Sequence, residues 1–380
     1  MLTLKYFDAI DQLQAADQSV LQSYPRDQLG YAAPEDALAQ YVRAWLTERG
    51  ARRDPVIVMV HGFEYDPSSA PAATPDSPFT SIYGLPPTVN YHLSWLPLVG
   101  ECDQNGGNQS QNAIAFCYNS IGSLADVRAA GWINPYQHAV FDLAPRAARA
   151  LASILVAVSE HAPIVRILAH SLGTRTTTQA MRLARARLPG TMDRIVMLDG
   201  AEYCVDAAAT FIGCQCDVFN IANRKDSVLK WGGDQACDPI RGVGTIGACV
   251  VGYDGLGGND RWTDLQLDNV LLRQWLAAGN APDGNPYNID PLAEEDSHPV
   301  AGLDHWACYT NDGNRAFVRD LLMSDVMTVP LMKQHGAPAG TDAPAYGMFN
   351  GKPIPPTPQT LLDRQRAFGI GNSAGVGGGG

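Results

Sequence analysis

Charge is the first thing this sequence is short of. Only 17% of its 380 residues are charged, against a norm of roughly a quarter. The 27 basic side chains are outnumbered by 39 acidic ones, for a net charge of −12. A surface of that kind excludes a broad basic face for DNA, RNA or anionic membranes. Long apolar runs are missing too. The most apolar stretch, Leu151 to Val158, is less than half of the ~20 residues that cross a bilayer, so no membrane span is expected. The opening MLTLKYFDAIDQLQ meets Asp8 and Asp11 too early for a signal-peptide core, which leaves the cytosol or a signal-independent route of export. Cysteine is sparse, with eight in the chain and no CxxC pair. That excludes a disulfide-stapled scaffold and the usual zinc spacings. Six of the eight, Cys204, Cys214, Cys216, Cys237, Cys249 and Cys308, fall in the C-terminal half, which leaves room for one or two bridges.

What is present is core material. Hydrophobic residues make up 46% of the chain, enough for an ordinary globular interior. The first fifty residues read as two helices, Tyr6 to Tyr24 and Pro34 to Arg49, the second opened by Pro and closed by Gly50. Short apolar runs follow at Pro55–Val60, Ala113–Tyr118, Ile164–Ala169, Arg194–Leu198 and Asp217–Ala222. Runs of that length, rich in β-branched residues, suit strands buried on both faces. Helical stretches separate them: Gln137 to His161, with Pro145 as a kink or true start, then Thr174 to Arg187. Strands alternating with helices predict an α/β fold with a mostly parallel sheet flanked by helices.

Two stretches break the pattern. Residues 64–112 are crowded with Pro, Ser, Asn and Gly. Residues 232–300 dissolve into Gly, Asn and Asp around one helix near Leu265 to Ala278. Irregular segments of that length are usually functional or mobile. Inside the first, Tyr83, Leu85, Tyr91, Leu93, Trp95, Leu96 and Leu98 form an apolar cluster, either a satellite core or a substrate-contacting lid. A last helix, Arg315 to Met323, precedes a Pro/Gly-rich tail ending in GVGGGG, for which disorder is expected. The fragment GLGGNDRWT stands alone and reads as a loop rather than a calcium-binding repeat. The organisation read here is an N-terminal helical segment 1–53, a catalytic domain 54–325 with insertions about 64–112 and 232–300, and a partly disordered tail 326–380.

The sharpest chemical signal is IVRILAHSLGT, where a buried strand runs into Ala169-His170-Ser171-Leu172-Gly173 and a helix follows. This is the small-x-Ser-x-Gly turn, whose small residues let backbone approach a serine exposed at the sheet edge. His61-Gly62-Phe63, at the end of the first apolar run, supplies a second element. Gly62 admits close approach, and the N–H groups of Phe63 and Leu172 are the natural pair to hold an oxyanion. His61 is expected to brace that loop rather than act as a base. The partners of such a serine follow in the order acid, then His. Asp226 lies just beyond the run ending at Ala222, with Asp199 as rival acid. His305 lies before the last helix, with His298 as rival base.

VMVHGF, LAHSLGT, NRKDSV and DHWACY, in this order, resemble the α/β-hydrolase superfamily of serine esterases and lipases over about residues 54–325. The resemblance implies an α/β-hydrolase fold, no cofactor and no metal. It implies a triad of Ser171 as nucleophile, Asp226 as acid and His305 as base, with Phe63 and Leu172 as oxyanion donors. The implied substrate is a small-molecule or lipid ester. Thioester or amide cleavage on the same fold, or a catalytically silent binding protein, stands as the alternative. Ala169 in place of the first Gly is a departure, as is the lack of an opening antiparallel hairpin before Pro55. Neither oligomeric state nor acyl preference is legible.

Overall fold

The computed structural model describes residues 1–6, 31–33, 35–50, 54–65, 78, 81–84, 86, 89–103, 105–107, 112–121, 135–188, 190–211, 213–229, 250–256, 260–292, 304–338, 348–349 and 352–353. Its centre is an eight-stranded sheet. In chain order the strands are β1 (Leu2–Tyr6), β2 (Tyr31–Ala33), β3 (Val56–Val60), β4 (Ala113–Tyr118), β5 (Val165–His170), β6 (Met192–Leu198), β7 (Asp217–Ala222) and β8 (Trp262–Gln266). They lie in the order β2-β1-β4-β3-β5-β6-β7-β8, and every pairing is parallel. A parallel sheet must be covered on both faces, which is why β3, β4, β5 and β7 are buried along their whole length.

The strand period of two sorts the core into two layers. Val56, Val58, Val60, Ile114, Phe116, Val165 and Ile167 face one side. There they meet helices α1 (Glu35–Arg49), α2 (Ala144–Ser159), α3 (Leu172–Ala184) and α4 (Cys204–Phe211). Ile57, Met59, Ala115, Leu168, Val196, Phe219 and Ile221 face the other side. They meet α5 (Val270–Ala277), α6 (Asp312–Met323), α7 (Val329–Gln334) and part of the 64–112 loop. Each fully buried aliphatic side chain contributes roughly 1.5–3 kcal/mol.

Several expectations are corrected. The first fifty residues are not purely helical, because Leu2–Tyr6 and Tyr31–Ala33 are strands that extend the sheet beyond β4. The described residues of segment 1–53 are therefore part of the α/β body, and the helix expected from Tyr6 to Tyr24 falls, apart from Tyr6 itself, outside the described residues. Leu265 is not helical. It belongs to β8, and the helix opens later at Val270, capped by the side chain of Asn269, which accepts from the amides of Leu271 and Leu272. Trp262-Thr263-Asp264 had no apolar pattern because Asp264 is a buried hub: it accepts from Asn220 Nδ2, Trp262 Nε1 and the amide of Leu256. The start of the tail is ordered, since Met327, Val329 and Met332 are buried in the second layer. Pro145 marks a start, not a kink in a uniform helix. The preceding turn, Ala139–Leu143, widens so that the Ala144 amide reaches Ala139 O, which accommodates the amide hydrogen that proline lacks. Among the described residues no helix is long and apolar enough to cross a membrane.

The apolar cluster of the 64–112 loop belongs to the core. Trp95 is wholly buried, edge-on to Tyr83, His170 and Tyr309. Leu96 and Leu98 are buried with it, while Leu85 is outside the described residues.

Candidate active site

Because all strands are parallel, the turns after β3, β5, β6 and β7 emerge at one edge. The strand order also reverses direction between β3 and β5. In open α/β sheets the crevice at such a reversal, outside the carboxyl ends of the strands, is where ligands bind. Ser171 follows β5 and His61-Gly62-Phe63 follows β3, so these two turns flank it.

Ser171 holds φ 52° and ψ −124°, a conformation L-residues rarely adopt and one often kept at functional turns. The turn is pinned on all sides. The Ser171 amide donates to Leu198 O, and its carbonyl accepts from the amides of Thr174 and Ala201 and from Thr174 Oγ1. Gly173 is required by space: a Cβ there would lie 2.4 Å from the carbonyl oxygens of both Val60 and His61. Gly62 is required for the same reason, its Cβ position being 2.8 Å from Ser171 Cβ. The two turns therefore touch, backbone against backbone. Leu172 opens α3, where an amide has no carbonyl of its own helix to bond and the helix dipole is positive. Phe63 follows Gly62, packs edge-on against Tyr136 at 5.3 Å, and leads into Glu64 at φ 70°.

His61 braces this loop. It is fully buried, stacked on Tyr118 with ring centres 4.6 Å apart. Its Nε2 accepts from the Tyr118 amide, so Nδ1 carries the hydrogen and donates to Gly62 O. Burial lowers its pKa to about 4, against the smaller upward pull of the two backbone hydrogen bonds. It is neutral near pH 7.

The structure brings Asp226 and His305 together. Asp226 is fully buried beyond β7, with Oδ1 accepting from the Leu229 amide at 2.9 Å. Its Oδ2 lies 2.6 Å from Nδ1 of His305. His305 is buried in a short turn, Asp304–Trp306, before α6. Its carbonyl accepts from Nε2 of His170, the residue before Ser171, and the two rings stand 4.7 Å apart. A carboxylate facing Nδ1 fixes the hydrogen there and leaves Nε2 free to take up a proton.

The rival acid, Asp199, ends β6 at φ 43° and is fully buried. Its two oxygens make no hydrogen bond of ordinary geometry among the described residues. Its pKa is driven well up, first by burial and then by the nearby Asp226 charge, with the Cys308 thiol opposing weakly. Burial and the neighbouring Asp226 both favour the protonated form of Asp199. His170, Asp199 and Cys308 offer ligand atoms within 4.8 Å of one another. Burial also holds the Cys308 thiol protonated, far above its usual range. A carboxyl and a thiol that both favour their protonated forms make a poor cation site. His298 lies outside the described residues.

Sequence reading missed His170, which joins the Ser171 turn to the His305 turn. It also missed Tyr118 and Thr174, which fix the turns around Gly62 and Ser171. Only the position of His170 beside Ser171 could have hinted at the first. Beside Phe63 and Leu172 lies an apolar group that includes Val140, Phe141, Tyr203, Leu229 and Tyr253. No protein-family model, no curated protein and no solved structure matches this chain.

Proposed function

We propose that the chain is a serine hydrolase of the α/β-hydrolase kind that cleaves carboxylic esters. The observation carrying this reading is the hydrogen-bonded pair Asp226–His305, tied through His170 to a serine held at positive φ between a buried strand and a helix. The side chains packed around Phe63 and Leu172 are apolar, which supports an uncharged acyl group over a charged one.

In the proposed reaction, Oγ of Ser171 attacks the ester carbonyl carbon as Nε2 of His305 takes its proton. The Phe63 and Leu172 amides donate to the oxyanion of the tetrahedral intermediate, each worth on the order of 3 kcal/mol. Collapse breaks the C–O bond, and His305 returns the proton to the departing alcohol. Water then attacks the acyl-enzyme by the same route in reverse, releasing the acid and restoring Ser171. Asp226 keeps the His305 tautomer and steadies the imidazolium. Ser171 is only 6% exposed, which keeps bulk water from competing for these hydrogen bonds.

A fluorophosphonate probe tests the nucleophile: wild-type protein labels and Ser171→Ala does not. Equal labelling of the two defeats the proposal. A panel of p-nitrophenyl esters from acetyl to palmitoyl, with matching thioesters and anilides, then identifies the bond cleaved and the acyl length.

A further inference from the structure

A second group of reactive side chains lies at the opposite edge of the sheet. Cys214 and Cys216 sit in the turn between α4 and β7, just before β7 begins at Asp217. Gly213 enters the turn at φ 73°, and the Cys214 amide closes it by donating to Phe211 O. The result is a pair of sulfurs 2.9 Å apart. The two differ in surroundings. Cys216 is buried against the first helical layer, while Cys214 is partly exposed at its margin. Arg185, near the end of α3, reaches this turn: its Nη2 lies 3.5 Å from where a Cβ on Gly213 would be. The other described cysteines, Cys102, Cys117, Cys204 and Cys308, are buried.

We propose that Cys214 and Cys216 form a thiol–disulfide exchange site for small aliphatic disulfides of the glutathione type, with Cys214 as the attacking sulfur and Cys216 as the resolving one. The chemistry follows from the asymmetry. The Cys216 thiol donating to Cys214 lowers the Cys214 pKa to about 6 against the opposing effect of burial, with backbone amides and Arg185 assisting. The Cys216 pKa is raised in turn, first by that same contact. The Cys214 thiolate attacks one sulfur of a disulfide RSSR, giving Cys214–S–SR and RS⁻, which takes up a proton. Cys216 loses its proton and attacks Cys214 Sγ, expelling a second RS⁻. Two protein thiols are oxidised to one disulfide, and RSSR is reduced to two RSH. The sulfurs must close by on the order of 1 Å to reach bonding distance. Nucleophilic attack by the exposed, more acidic thiol is the expected order for such a pair.

The test uses the full chain equilibrated in reduced and oxidised glutathione, acid-quenched, alkylated and mapped by mass spectrometry. Both sulfurs fall in the tryptic peptide Ile195–Arg224, with Cys204 as an internal control. The expected product is that peptide lighter by two hydrogens, with Cys204 still alkylated. Cys216→Ala should trap glutathione on Cys214, and Cys214→Ala should leave Cys216 reduced. The pH profile of iodoacetamide alkylation at Cys214, with its midpoint near 6 in the wild type, should move up by at least one unit in Cys216→Ala. Both thiols staying alkylatable in fully oxidised glutathione, or no mixed disulfide in Cys216→Ala, overturns the proposal. Because the readout is a peptide mass, it stands or falls independently of esterase activity.

Discussion

The two edges of the sheet handle buried charge in opposite ways. At the amino-terminal edge, Arg166 of β5 and Arg194 of β6 sit side by side, both almost fully buried. Their donors are richly used. Both reach Asp193, Arg166 binds the carbonyls of Leu322 and Met323 and the carboxylate of Asp325, and Arg194 binds the carbonyls of Leu321, Ser324 and Met327. The guanidiniums lock the C-terminal end of α6, where carbonyls lack helix partners. At the carboxyl-terminal edge, Asp199 is buried without a hydrogen bond of ordinary geometry among the described residues, and Ser171 and Asp199 are both held at positive φ. The two arginines of the first edge serve stability. The second edge holds strain and unmet polarity, which is the usual mark of a site kept for chemistry.

The largest expected effect comes from separating the two acids of the second edge. Asp226→Asn should lower kcat by about 10⁴-fold with the fold intact, since it sets the tautomer of the base. Asp199→Asn should retain most activity, and the reverse ranking would make Asp199 the functional acid. Next is the first edge. Arg194→Met leaves the carbonyls of Leu321, Ser324 and Met327 without this donor, while Asp193 keeps Arg166, and should destabilise by about 3 kcal/mol in urea unfolding, at about 1–3 kcal/mol for each carbonyl left unmet. Activity per folded molecule should not change, because nothing it touches reaches Ser171.

His61 gives a pH test of the loop at the second edge. Its folded pKa of about 4 lies below the ordinary histidine value of 6.5, so as pH falls the unfolded chain binds its proton first. The stability tied to a neutral His61 is fully present above pH 6.5 and declines as pH falls towards 4, by about 3 kcal/mol in all. Thermal melts across that range should show the decline in wild type and a flatter profile in His61→Gln. Asp199 gives a second pH test at the same edge. Its raised pKa means that the unfolded carboxyl ionises before the folded one, so this residue lowers stability increasingly as pH rises above 3.8. Asp199→Asn should therefore melt higher than wild type at neutral pH, by a margin that shrinks as pH falls, and no higher in acid. An unchanged difference across pH would mean that Asp199 is ionised.

The comparison also explains what the sequence could reveal. Central strands such as Val56–Val60 and Val165–His170 are apolar on both faces and announce themselves. β8 does not, because Asp264 in its middle and Gln266 at its end are buried polar side chains. β1 is hidden differently: its short pattern, LTLKY, reads as readily as the start of a helix. Ser171, Asp226 and His305 were legible because each follows a recognisable strand or precedes a helix in a set order. The meeting of His170, Asp199 and Cys308 was not, since three distant turns converge there and none carries a local signal.

The contact of Gly173 with the carbonyls of Val60 and His61 also bears on how the chain folds. It joins backbone segments separated by more than a hundred residues, and β3 pairs with both β4 and β5. Non-local pairings of this kind form slowly, because a long loop must close before any contact rewards it. During synthesis, the strand that carries His61 and Gly62 waits unpaired on one side until β5 has left the ribosome. The loop–turn junction at Ser171 is thus among the later parts to assemble. On the proposed function, recovery of probe labelling during refolding would time the closure of β3 against β5.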